Sequence, residues 1–439
     1  MYNILKNRTY RHLFGAQIVA LLGTGLATVA LGLLAYDLAG NDAALVLGTA
    51  LTIKMVAYVT IAPVAGAMAN RWPRRGMLVA LDVLRAAVAV ALPFVSEIWQ
   101  VYVLIFLLQS ASAAFTPTFQ ATIPDVLPDE QDYTRALSLS RLAYDLESLI
   151  SPMLAAALLL IVSFDTLFLG TCLGFLASAA LVLSAVLPSP APTNPRGFYD
   201  ATTRGLRIYL NTPRLRGLLA LSLSAAAAGA MVIVNTVVVV RSGLELGAEA
   251  VALTLAAFGA GSMIAALFLP RLLDRLPDRQ VMLSGAGLMA GVLLALAAGL
   301  TTVNTGWAAI LVAWLFLGLG YSAVLTPSGR LLRRSAHPED RPAVFAAQFA
   351  LSHACWLLAY PLAGWVLTRF GLVPALLALG CVSAAGLALA IRFWQADAPR
   401  EIEHFHEDLP PDHPHLQGGG PHRHVYVIDD YHRHWPQAG

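Results

Sequence analysis

Residues 66–75 read GAMANRWPRR, and residues 270–279 read PRLLDRLPDR. At an offset of 204 positions, Asn70-Arg71-x-Pro73-x-Arg75 faces Asp274-Arg275-x-Pro277-x-Arg279. A second match follows in the same order at an offset of 210, where Thr116-Pro117 and Pro128-Asp129 face Thr326-Pro327 and Pro338-Glu339. Two ordered matches at corresponding points predict an internal duplication whose halves are related along one axis. What has been duplicated is decided by the residues flanking each motif.

Those flanks are apolar. The chain is 58% hydrophobic and 12% charged, with a mean hydropathy of +0.67. Soluble domains carry about 25% charged residues, so this chain lacks the charge to face water and is expected to face lipid. About 20 apolar helical residues cross a bilayer. Runs of that kind fall near 12–37, 44–69, 77–95, 98–120, 137–161, 166–187, 217–240, 248–270, 281–300, 307–327, 343–368 and 372–394, twelve in all. Polar residues intrude on the fourth, fifth, tenth and eleventh. The fold class predicted is an all-α integral membrane protein, with twelve transmembrane helices in two pseudo-symmetric six-helix bundles.

Arginine placement orients it. One set of connections holds Lys6, Arg8, Arg11, Arg71, Arg74, Arg75, Arg135, Arg204, Arg207, Arg214, Arg216, Arg271, Arg275, Arg279, Arg330, Arg333, Arg334 and Arg341; the alternate set holds little beyond Arg241 and Arg369. Positive loops stay inside, so both termini are expected in the cytoplasm. The run 13–36 is too long for a signal peptide and reads as the first membrane helix. Four regions follow: a six-helix bundle over 1–190, a linker with an amphipathic helix over 191–215, a second bundle over 216–395, and a His-rich tail over 396–439. The linker opens on a Pro-rich stretch that cannot continue a helix. Phe198, Leu206, Tyr209 and Leu210 then lie among arginines, a pattern suited to the lipid interface.

Several functions are excluded by what these residues lack. The net charge is +2 and no basic tract offers a phosphate-binding face, so nucleic acid is not an expected partner. No G-x-x-x-x-G-K-[ST], H-E-x-x-H or G-x-S-x-G appears, so an enzyme is not expected. The G-x-G pairs at Gly23/Gly25, Gly259/Gly261, Gly285/Gly287 and Gly318/Gly320 fall inside apolar runs and read as helix packing. Cys172, Cys355 and Cys381 are odd in number and apolar in setting, as core thiols are.

The residues of the first motif resemble the loop signature of the major facilitator superfamily, G-x-x-x-D-R-x-G-R-R, and the resemblance covers residues 1 to about 395. Gly66, Asn70, Arg71, Arg74 and Arg75 stand in register, with Asn70 in place of Asp and Pro73 in place of the second Gly. The stretches FTPTFQATIPDVLPDEQDYTRALSLSRL (115–142) and LDVLRAAVAVALP (81–93) are similar to the exporter branch that includes siderophore and macrolide efflux proteins. The resemblance implies that Gly66, Asn70, Arg71, Arg74 and Arg75, with Asp274, Arg275 and Arg279 in the second half, latch the halves together on the cytoplasmic side. The alternative is a topology anchor acting by charge alone. Asn70 has lost its charge, which weakens a first-half latch, while Asp274 keeps it. Two departures bear on coupling. Phe106 stands where the family's fourth helix has an arginine, and Ser151-Pro152 with Ala155-Ala156 replaces the glycines of its fifth-helix antiporter motif.

Ionisable groups cost about 2.5–3.5 kcal/mol at a membrane helix centre, so each must face a cavity or a partner. Asp82 and Arg85 are three apart and read as a structural pair. Arg141 lies one turn before Asp145. Lys54, Asp145, Glu147 and His353 are the candidates for substrate or proton binding, and each has a packing role as its alternative. Gln17, Gln109, Asn235 and Tyr321 are uncharged candidates that either line a cavity or bridge helices.

The tail carries four His-x-His pairs, His404/His406, His413/His415, His422/His424 and His432/His434. With nearby Asp residues these offer N/O ligand sets for a divalent metal; otherwise the tail is a solvated appendage unable to build a core. No other cofactor is expected. The function expected is secondary active efflux of a small drug-like or siderophore-like molecule across a bacterial-type inner membrane, by a monomer coupled to protons. Divalent-metal export through the tail is the alternative, and a non-transporting receptor or metal sensor is a third reading.

Overall fold

A computed structural model describes residues 2–39, 43–68, 72–188, 197–302, 306–395, 401–405 and 422–436. The first half contains α1 (Arg8–Ala39), α2 (Ala43–Met68), α3 (Arg74–Ala91), α4 (Ile98–Val126), α5 (Glu130–Leu159) and α6 (Phe164–Leu183). A short α7 (Phe198–Asn211) leads into α8 (Pro213–Val238), α9 (Ala248–Leu273), α10 (Asp278–Thr302), α11 (Trp307–Leu325), α12 (Ser328–Arg334), α13 (Arg341–Phe370) and α14 (Leu372–Phe393). Helix starts follow local chemistry. Glu97 and Gln100 form a capping box at α4, the Asp129 side chain accepts from the Asp132 amide at α5, and Pro213 opens α8; the first two supply acceptors for amides that the first turn leaves unpaired, and the proline removes such an amide.

Eleven of the described helices are long and apolar enough to cross a membrane. The twelfth expected span is α5, which is 30 residues long but carries Glu130, Asp132, Arg135, Arg141, Asp145 and Glu147. It packs between α1 and α9, and Arg141 with Asp145, and Glu130 with two arginines, form ion pairs inside the protein. A helix excluded by composition is admitted by packing.

The halves repeat their packing. In the first, α1 pairs with α6 and α5, α2 with α4, and α3 with α4 and α6; in the second, α8 pairs with α14 and α13, α9 with α11, and α10 with α11 and α14. The halves meet along α2 against α13 and α5 against α9, two contacts that exchange under the same pseudo-symmetry. Small residues permit the closest crossings. A Cβ on Gly261 would strike the Leu315 carbonyl, and one on Gly318 the Phe258 carbonyl, so α9 and α11 approach backbone to backbone.

Asp82 and Arg85 form the buried pair expected, both at most 5% exposed. Ser178 of α6 donates to Asp82 at 2.8 Å, and the Arg85 guanidinium lies 4.0 Å and 4.5 Å from the Phe115 and Phe175 ring centres. Asp82→Ala would leave that cation buried alone, a loss of about 3–5 kcal/mol. Its thermal unfolding in detergent should fall well below wild type, and Asp82→Ala with Arg85→Met should recover most of the loss.

Both described ends of the chain lie on one face, called here the terminal face. Ile4 packs with Leu127 and Tyr133 between α4 and α5. At the other end, β1 (Glu401–His404) pairs antiparallel with β2 (His422–Val425), and Tyr426, Val427 and Ile428 are buried. Tyr426 and Ile428 join the apolar cluster of the second half. The described part of the tail is therefore not wholly solvated: Tyr426, Val427 and Ile428 are buried, and the first and last of them borrow a core from the helices.

Candidate functional site

Two groups of residues stand out: one near the middle of the spanning helices, the other on the terminal face.

The central group forms because each contributing helix carries its polar or aromatic residue near its midpoint. Tyr58 of α2 donates to Gln109 of α4 at 2.9 Å. Its ring lies 4.9 Å from Phe349 and meets His353 edge-on at 4.7 Å, joining α2 to α13 of the other half. Lys54 Nζ sits 5.6 Å from the Tyr58 ring centre. His353 Nδ1 is 2.7 Å from the Phe349 carbonyl of its own helix; a carbonyl only accepts, so that nitrogen carries the proton.

A second strand of contacts crosses between the halves through α5. Arg141 forms an ion pair with Asp145, donates to Ser262 of α9 at 3.0 Å and lies 4.9 Å from the Tyr321 ring centre. Tyr321 continues to Phe258 and Trp356, and Trp356 to Tyr360. Gln17 of α1 accepts from Ser140 of α5 at 2.9 Å. Glu147 lies beside Ser151 where Gly25 of α1 leaves room for both, within the field of Lys54. Among the described residues Glu147 makes no ion pair at bonding distance, unlike Asp145.

Seven of the eight central candidates therefore gather in one region. Asn235 does not. It lies near the far end of α8, fully buried, and donates to the Ala363 carbonyl at 3.2 Å and to the Met231 sulfur at 3.3 Å. Its role is to pin α8 to α13. Tyr58, Phe349, Trp356 and Tyr360 were missed from sequence because aromatic residues on membrane helices are ordinary core.

On the terminal face Arg74 and Asp278 of the duplicated motif enter ion-pair relays that run between the halves. Arg74, 4% exposed, pairs with Asp125 at the end of α4. Asp125 also accepts from Arg341, the first residue of α13 in the other half, at 2.7 Å. In the second half the signs are reversed. Asp278, which faces Arg74 at the offset of 204, accepts from Arg334 at 2.6 Å and lies 3.1 Å from Arg330. Both arginines also pair with Glu130, the first residue of α5. One relay reads Arg–Asp–Arg, the other Asp–Arg–Glu, and each ends on the opposite half.

The remaining motif residues divide. A Cβ on Gly66 would sit 2.6 Å from the Ala346 Cβ, so α2 and α13 close tightly on this face. Arg75, Asp274 and Arg275 are exposed, and among the described residues none of the three makes an ion pair. In the second half the acid that carries the ion pairs on this face is Asp278. Arg279 donates to the Trp394 carbonyl at 2.7 Å, tying α10 to the end of α14. Asn70 and Arg71 lie outside the described residues. Asp125, Glu130, Arg330, Arg334 and Arg341 flank the second duplicated match, which was the available signal for them.

In the tail, the rings of His422 and His424 are 5.2 Å apart and those of His424 and His432 5.1 Å. His432 Nδ1 lies 2.9 Å from Asp429, and the His434 carbonyl accepts from Tyr426. Among the described residues no three His, Cys, Asp or Glu side chains are grouped to hold a metal ion. His406, His413 and His415 and the His404 side chain lie outside the described set.

Comparison with known proteins agrees with this architecture. Macrolide efflux protein A of Streptococcus pyogenes is 25% identical over 162 residues, 36% of this chain and 39% of that protein. The chain thus spans about two fifths of the length of that curated relative. The uncharacterized MFS-type transporter YvqJ of Bacillus subtilis is 25% identical over 382 residues, 83% of this chain and 87% of that one. The crystal structure of the human organic anion transporter MFSD10 superposes with a TM-score of 0.76 at 12% identity, covering 87% of this chain and 99% of that one. The family model for the Major Facilitator Superfamily matches residues 13–310 and 219–415. With two six-helix halves meeting at α2–α13 and α5–α9, this chain belongs to the major facilitator superfamily of membrane transporters.

Proposed function

We propose that this transporter exports an amphipathic, drug-like organic molecule in exchange for protons. The observation that carries the proposal is the central group: two aromatic clusters, one straddling the interface between the halves and one within the second half, set around Lys54, Glu147 and the Arg141–Asp145 pair. Flat rings and methylenes hold an apolar body by contact, while a few polar groups fix its orientation. Glu147 is the proton carrier, because it is an acid in the spanning region without a cation at bonding distance among the described residues. Protonating it removes a charge whose burial is costly, which is what an alternating-access carrier needs at one step.

The terminal face is the cytoplasmic one, on the evidence of the arginine bias, and the membrane is a bacterial-type inner membrane. The relays therefore close the cytoplasmic entrance in the conformation described. The named activity of the macrolide efflux relative points the same way.

Divalent-metal export is the second reading, motivated by the pairs His422/His424 and His432/His434. These sit on the terminal face, away from the central group, so metal there bears on control more than on cargo. The two readings separate in a thermal-stability panel of macrolides, other amphipathic drugs, Ni²⁺ and Co²⁺. A site filled at 100 times its Kd adds about 2.7 kcal/mol. Stabilisation by an organic compound that is lost in Tyr58→Ala supports organic export. Stabilisation by the metals alone would overturn it.

A further inference from the structure

The tail grips the same face that the gate closes. Asp430 accepts from Arg204 of α7 at 2.7 Å, and Arg204 also donates to Asp340 at 2.7 Å. Asp340 is the cap of α13, and its neighbour Arg341 belongs to the first relay. Trp435 lies 5.6 Å beneath Arg214, which donates to the Arg334 carbonyl at 2.9 Å. Arg334 belongs to the second relay. The tail thus stands two residues from the first relay and one from the second, with Tyr426, Val427 and Ile428 buried as its anchor.

α7 explains why this position has leverage. It packs on both α2 and α13, the pair that must part for the terminal face to open. A Cβ on Gly205 would collide with the Ala343 carbonyl, so α7 lies flush across the start of α13. Arg204 is 8% exposed. Burial works against its charge, yet the bonds to Asp340 and Asp430 hold it more firmly protonated than an ordinary arginine.

We propose that residues 422–436 are an autoregulatory clasp, which docks on α7, α8 and the α12–α13 connection and holds the transporter closed on its terminal face. A ligand, here the chain's own tail, shifts a two-state equilibrium by its differential affinity for the two states. Undocking the tail frees α7 from α13 and raises the open population. The inference rests on the gate described above and extends it to a controlled gate.

His337 of the α12–α13 connection faces Asp429 at 3.3 Å, and His432 faces the same carboxylate from within the tail. This gives the docked tail a further contact on the segment that leads into α13.

The test is a distance measured across the terminal face of the full-length protein in nanodiscs. Spin labels go at Gly76→Cys and Gln280→Cys, exposed positions related by the offset of 204, with Cys381→Ser removing the exposed thiol. Asp430→Asn, Trp435→Ala and deletion of 422–436 should each raise the long-distance population, by about fivefold or more for the deletion. Glu401→Gln, which touches only an exposed pair with Arg423, should leave it unchanged. The clasp is overturned if the deletion and both point variants match wild type. Asp125→Asn in the same assay separates the two ideas: if it opens the gate while the tail variants do not, the gate stands and the clasp falls.

Discussion

Asp125→Asn is expected to move the transporter from closed to open on the terminal face, by about ten- to a hundredfold in population. Asp125 is the one acid between two arginines, Arg74 and Arg341, which belong to different halves. Asparagine keeps an acceptor but loses the charge, so two largely buried guanidinium groups, 4% and 15% exposed, are left repelling each other. Hydrogen bonds to charged groups contribute about 1.5–3 kcal/mol each, and 1.4 kcal/mol is a factor of about ten in an equilibrium. The Gly76/Gln280 spin-label distance reads the shift directly. Glu130→Gln, in the sign-reversed relay, should do much less, because Glu130 is 42% exposed and solvent screens its pairs.

Glu147→Gln is expected to separate binding from energy coupling. The amide mimics a protonated acid permanently, so a substrate can still bind and exchange down its own gradient. What is lost is the alternation of charge that ties transport to protons. Proton-driven flux should drop by at least about tenfold, while substrate counterflow without a pH gradient stays near wild type. Asp145→Asn is the instructive contrast. It strips Arg141 of its partner in the spanning region, and an unpaired buried cation costs about 3–5 kcal/mol, so that variant should fail in folding and yield before it informs on coupling. Equal loss of counterflow and driven flux in Glu147→Gln would place Glu147 in substrate binding instead of coupling.

The architecture was legible in the sequence because it depends on averages. Twelve apolar runs and a repeated loop survive any single substitution, and even α5, the most charged run, kept its length and its place in the order. The site was legible only where a residue type is costly by itself. Lys54, Asp145, Glu147 and His353 announce themselves by charge in an apolar setting. Asn235 was left between two uses, lining a cavity or bridging helices, and its donation to the Ala363 carbonyl on α13 is what a bridge makes. The ion-pair relays were not legible for a different reason. Aligning repeats rewards identity, which matched Asp274 to Asn70, whereas electrostatics rewards complementarity, which set Asp278 against arginines in one half and Arg74 against an acid in the other. Composition bounds the tail without placing it. Its residues cannot bury themselves, but the apolar cluster of the second half was within reach.

The central claim is that the aromatic and charged residues between the halves carry a molecule across the membrane under a proton gradient. The most direct measurement is flux in proteoliposomes, using an organic compound that stabilises the protein and an imposed pH gradient. Accumulation against the compound's own gradient, abolished by a protonophore and by Glu147→Gln, is the predicted result. No flux above protein-free liposomes, for any compound that binds, would contradict it and leave a receptor built on a transporter fold.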